Sequence, residues 1–157
     1  MDRLHAVEAF SLFAGTTPIP EKRGRPVSMS VLGWVGGIPD PVNGPLQAIS
    51  GGTWHAITVG NRLSLDVGFG GQRHVTSVVF EAGDGPPGPV AVTIYARAKQ
   101  TGMWKLVRRC SLPRSATRCV IPPQLTDAIR MEFEAGENRS GAAVGIGPVV
   151  IDMKKVQ

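Results

Sequence analysis

Apolar residues fall at every second position through much of this chain, the pattern of β-strands with one buried face. Leu63, Leu65 and Val67 share one face, with Ser64 and Asp66 on the other. Val90, Val92, Ile94 and Ala96 alternate with Ala91, Thr93, Tyr95 and Arg97. Ile129, Met131 and Phe133 likewise face inward while Arg130, Glu132 and Glu134 face out. The run 75–80 is apolar on both faces toward its end, which fits a central strand. Segments 27–35, 104–110, 118–121 and 149–153 complete about eight strands, joined by turn-rich stretches such as GGIPDPVNGP and EAGDGPPGP. The fold class this predicts is all-β: an antiparallel two-sheet β-sandwich or jelly roll.

Composition supports that reading. The chain has 157 residues, enough for one domain with a real core, and 20 glycines and 13 prolines that would damage helix interiors. Residues 27–157 form the predicted sandwich domain, and residues 1–26 stand apart as an extended N-terminal arm. Leu4, Val7, Phe10, Leu12 and Phe13 fit a turn or two of amphipathic helix or a β arm. TTPIPEKRGRP then brings three prolines with Lys22, Arg23 and Arg25, a linker composition. No stretch is long and apolar enough for a membrane span. The apolar segment AVEAFSLFAG contains Glu8 and no convincing cleavage site, so the expectation is a chain retained in a cytoplasm or released by lysis.

The net charge of +5 is concentrated. Between Arg97 and Arg118 lie seven basic residues and no acidic one. Such a run can steer an anionic partner, or can be a solvated strand face. Nucleic acid is an unlikely partner by this reading, because Trp104 is the only aromatic residue of the run. Cys110 and Cys119 would face each other across a hairpin with Arg114 and Ser115 at its tip. A disulfide is geometrically open to them, but without a sign of secretion reduced thiols are the favoured expectation.

Several short motifs recur in a telling order. Ala48, Ile49, Ser50, Gly51 and Gly52 lead into Thr53 and Trp54; Asp66-Val67-Gly68 closes the following strand; Val75-Thr76-Ser77-Val78 opens the next. Trp104-Lys105-Leu106-Val107 and Ala128-Ile129-Arg130-Met131 follow. Over about residues 46–153 this resembles the discoidin, or coagulation-factor type C, domain of the galactose-binding-like β-sandwich group. The resemblance implies that fold, and puts Trp54 in the core; Trp104 is read the same way. Many members carry an aspartate of a calcium site where this chain has Ser50, so no metal and no cofactor are expected. Fold transfers from such a likeness better than ligand does.

Residues suited to a glycan are Trp34, Trp54, His55, Arg73, His74, Asn138 and Arg139. Indole faces stack on pyranose rings, and imidazole, guanidinium and amide groups offer directed hydrogen bonds to hydroxyls. Trp34, in the Gly-rich LGWVGG, is the tryptophan expected to be most exposed. The chain has no G-x-S-x-G elbow, H-E-x-x-H pair or P-loop, and no enzyme is expected. The function expected is a structural or decoration component of a large assembly, a bacteriophage virion being the leading case. Its arm (Phe10, Phe13, Lys22, Arg23, Arg25) would be ordered by neighbouring subunits, and its loops could grip host glycans. The alternative is a free-standing or cell-surface carbohydrate-binding module, which would place the chain outside the cell.

Overall fold

A computed structural model describes residues 17–20, 26–38, 41–112, 116–136 and 141–155. The described residues form nine strands: β1 (Thr17–Pro20), β2 (Pro26–Val35), β3 (Trp54–Ile57), β4 (Ser64–Phe80), β5 (Ala91–Arg97), β6 (Trp104–Ser111), β7 (Thr117–Glu134), β8 (Ala143–Ile146) and β9 (Val149–Lys155). A single helical turn, α1 (Leu46–Ile49), buries Ala48 and Ile49. All pairings between these strands are antiparallel.

Two strands are long enough to serve both layers. Along β4 the pairing with β7 slips between Gly68 and Arg73, so residues 69–72 oppose Asp127 alone. Gly70 takes φ +71 there, a left-handed turn that side chains resist, and the strand bends. The first half of β4 pairs with β2 and with the end of β7; the second half pairs with β9 and with the start of β7. One layer therefore runs β1-β2-β4-β7-β5-β6, and the other β9-β4-β7. Phe80 and Phe133, at the ends of β4 and β7, meet edge to face across the layers at 6.1 Å.

Sequence punctuation predicts two strands where each of these bent strands runs continuously. The Gly-Gly of GFGGQR sits in the bend of β4, and Pro122 and Pro123 sit where β7 departs from its register with β4. A proline is tolerated at such a bulge because no ladder N–H is required of it.

The inner faces close on Leu65, Val67, Ile94, Ile129 and Met131 from one layer and Val75, Val78, Cys119 and Ile151 from the other. Burying each large aliphatic side chain contributes roughly 1.5–3 kcal/mol. The β3–β8 pair, led by Trp54 and Ile146, and α1 complete the core.

Two expectations change here. The segment 104–111 does not form a hairpin with 117–121: β6 pairs with β5, and the start of β7 pairs with β4. Cys110 and Cys119 are nevertheless joined in a disulfide, Cα to Cα 6.1 Å, which ties the edge strand of one layer to the other layer. Sandwich closure, rather than a local turn, brings them together. Within the segment read as an arm, Thr17–Pro20 pairs with the start of β2. Its two prolines suit an edge, where one row of N–H groups is unneeded. Phe10, Phe13, Lys22, Arg23 and Arg25 lie outside the described residues.

Candidate functional site

The outer face of the larger layer carries the densest polar and aromatic grouping. Alternation that buries Leu65, Ile94, Ile129 and Met131 turns Asp66, Tyr95 and Arg130 outward, and pairing aligns them in one row from Gly33 through Asp66, Arg130 and Tyr95 to Leu106. Arg130 donates Nε to Asp66 Oδ1 at 2.8 Å and Nη2 to Oδ2 at 2.9 Å, a two-pronged, half-buried ion pair. That hydrogen bonding, against the opposing effect of burial, holds the Arg130 guanidinium more firmly protonated than usual.

Trp104, half-buried, completes the grouping from β6. The Arg130 guanidinium lies over its ring at 4.5 Å from the centroid, and Arg97 at 5.8 Å. Arg97 is itself held by Asp127 through bonds of 3.0 and 3.1 Å. Tyr95 donates its hydroxyl to Glu132 Oε1 at 3.0 Å. Partial burial first, then the Glu132 carboxylate, raises the Tyr95 pKa above its ordinary 10.0, so the phenol stays a donor. Arg109 grips Glu134 through two bonds of 2.8 Å, and this holds the Glu134 carboxyl below its usual value.

Beside this grouping is a depression of about 210 Å³, lined by Asn61, Arg62, Ser64, Thr93, Glu132 and Glu134 among others. Its rim is a two-residue turn in which Val59 and Arg62 exchange backbone hydrogen bonds at 3.0 Å. Gly60 (φ 58) and Asn61 (φ 70) both take left-handed conformations, which glycine and asparagine accept best. The turn thereby sets Asn61 and Arg62 over the sheet. Glu132 belongs to both places: it lines the depression and accepts from Tyr95.

The residues singled out from sequence do not converge. Trp54 is fully buried, with its Nε1 lacking a partner, and Trp34 is buried opposite Leu65. Neither offers a face to a ligand, because both point into the apolar interior between the layers. His55, partly exposed on β3, lies within contact of Gly85 in the connection after β4. Arg73 and His74 stand at the bend, at the end of β4's second half away from Phe80; seven residues, roughly 23 Å at strand spacing, separate Arg73 from Phe80. Arg73 turns one Nη1 donor to the Gln72 carbonyl at 2.9 Å. Asn138 and Arg139 lie outside the described residues.

The basic run also changes character. Arg97, Arg109 and Arg118 are paired with Asp127, Glu134 and Asp152, all from other strands, and Arg108 donates to the Val120 carbonyl. Three of the charges that share one sign along the chain are thus neutralised across the sheet. Among the described residues, no helix is long and apolar enough to cross a membrane.

No protein-family model matches this sequence, and no curated protein does. Solved structures do. The C-terminal domain of a chitobiase from Bacteroides fragilis gives a TM-score of 0.69 at 12% identity, over 90% of this chain and 100% of that one. An F5/8 type C domain from Bacteroides fragilis gives 0.66 at 13% identity, over 89% and 97%. The chain has the discoidin-type, galactose-binding-like β-sandwich fold. A third structure of this fold, the CBM32-5 module of Clostridium perfringens in complex with GalNAc-β-1,3-galactose, gives 0.65 at 12% identity, over 86% and 99%. At these identities the likeness is one of fold, and the discoidin-type sandwich serves many ligands.

Proposed function

We propose that this chain is a non-catalytic glycan-binding module that works outside the cell. The observation that carries the reading is the outer-face grouping: a half-buried indole backed by Arg130, itself fixed by Asp66, next to the Tyr95–Glu132 pair. An aromatic plate supplies apolar contact for a sugar ring, while neighbouring carboxylate and guanidinium groups accept from and donate to its hydroxyls. Preformed pairs of this kind lose little freedom on binding. The carbohydrate complex of the Clostridium perfringens module favours the same ligand class. The Cys110–Cys119 disulfide fits an oxidising compartment. The virion reading has no comparable support: the arm side chains it depends on lie outside the described residues, and Thr17–Pro20 pairs with the chain's own β2.

The test is calorimetric titration of the purified protein with galactose, N-acetylglucosamine, their tetrasaccharides and GalNAc-β-1,3-galactose. Saturable binding of at least one is expected. Heat no greater than dilution across the whole set would refute the proposal.

A further inference from the structure

The chemistry of the outer face narrows the ligand class. On and around it, Asp66, Asp127, Glu132 and Glu134 balance Arg62, Arg97, Arg109 and Arg130. Arg97, Arg109 and Arg130 each direct two N–H groups at one carboxylate. A sulfate or uronate could claim those forks only by displacing a protein carboxylate, which would then face the ligand's own negative charge. Neutral hydroxyls meet no such conflict, because paired carboxylate oxygens still have lone pairs to offer.

Length follows from the strand. Trp104 pairs with Arg97, and the depression begins at Thr93 on the same strand, four residues away, or about 13 Å at strand spacing. That span exceeds one pyranose ring. Tyr95 lies between the two ends and joins them through its hydrogen bond to Glu132, which lines the depression.

Resting on the glycan-binding reading, we infer that this face takes an uncharged oligosaccharide laid along β5, one ring against Trp104 and another in the depression bounded by Asn61, Thr93 and Glu132. The site is distinct from the His55 end of the sandwich.

The experiment titrates the protein with galactose and β-1,4-galactotetraose, N-acetylglucosamine and chitotetraose, and a heparin tetrasaccharide, at low and physiological salt. At least one neutral tetrasaccharide should bind about tenfold tighter than its monosaccharide, without salt dependence, and the heparin fragment should not bind. Trp104→Ala should weaken the neutral chain by about tenfold or more, as loss of a central aromatic does. Thr93→Trp, which narrows the depression, should erase the advantage of length. Equal affinity for short and long chains would overturn the inference. So would salt-sensitive preference for the heparin fragment, or a folded Trp104→Ala protein that binds normally. Binding of no saccharide would overturn the glycan reading itself, and this inference with it.

Discussion

Breaking the Cys110–Cys119 bond tests both the layer arrangement and the compartment. The cysteines are nine residues apart in sequence. In the chain-entropy treatment, closing a loop of that length removes enough freedom from the unfolded chain to stabilise the fold by about 2.6 kcal/mol. For a domain of this size each kcal/mol moves the melting midpoint by about 2–4 °C, so reduction should lower it by roughly 5–10 °C. The sandwich should remain folded, because β6 keeps its ladder with β5 and the core is otherwise untouched. Thermal unfolding is followed by circular dichroism with and without reductant. The Cys110→Ala, Cys119→Ala double variant is the control, and should melt low and ignore reductant. Two titratable thiols in native, oxidatively refolded protein, or a reductant-independent midpoint in the wild type, would refute the reasoning. The layers would then not bring β6 and the start of β7 into register for bonding.

The two tryptophans should separate cleanly: Trp54→Ala should cost about 3–5 kcal/mol in denaturant unfolding, as a fully buried aromatic, while Trp104→Ala should cost nearer 2, for partial burial and two cation–π contacts. Equal costs would mean that Trp104 is a core residue. Asp66→Ala strands the half-buried Arg130 guanidinium and should destabilise by about 2 kcal/mol, between the surface and buried limits for ion pairs; a neutral result would make the pair decorative. Tyr95 is the sole tyrosine, so its phenolate absorbance can be followed alone, and it should ionise above pH 10.0. A phenol whose folded pKa is raised contributes stability that is complete below its unfolded value and is lost as pH climbs through the folded one, so the loss should begin above pH 10.0. Glu132→Gln should bring the midpoint down, and an unmoved midpoint would remove Glu132 from the account.

The alternation in 63–67, 92–97 and 129–134 foretells both the strands and their inward faces, because a period of two leaves no choice of side once one face is buried; Val90, read with that face, instead precedes β5 and is exposed. The continuity of β4 and β7 is not visible in the same way. Gly-Gly and Pro-Pro read locally as turns, and only pairing with strands distant in sequence holds the chain extended through them. The same non-locality hides the neutralised arginines, whose carboxylates arrive from β7 and β9. The disulfide is open to the sequence on geometry, and reduced thiols are favoured only through the compartment reading. Trp34 reads as exposed because glycines surround it, yet its register opposite Leu65 aims it inward. Trp104 was open to discovery: the pattern already turns Tyr95 and Arg97 outward, and an antiparallel partner to Arg97 must share that face.

The proposed platform rests on an edge strand, and the ties on that strand follow from its position. Pairing gives β6 a hydrogen-bonded neighbour on one side only, so ladder bonds alone would leave it the easiest part of the sheet to peel away. Near its end Cys110 is fastened to the opposite layer, and in its middle Arg108 reaches the Val120 carbonyl there. At its start Trp104 is held against two guanidiniums that are themselves immobilised by carboxylates. A binding surface needs its aromatic held still without burying it, and a sheet edge gives exposure while supplying no rigidity of its own. The outward ion pairs supply that rigidity. This explains why a layer so rich in arginine presents a balanced outer surface rather than a basic one, and why Asp66 bears on Trp104 through Arg130.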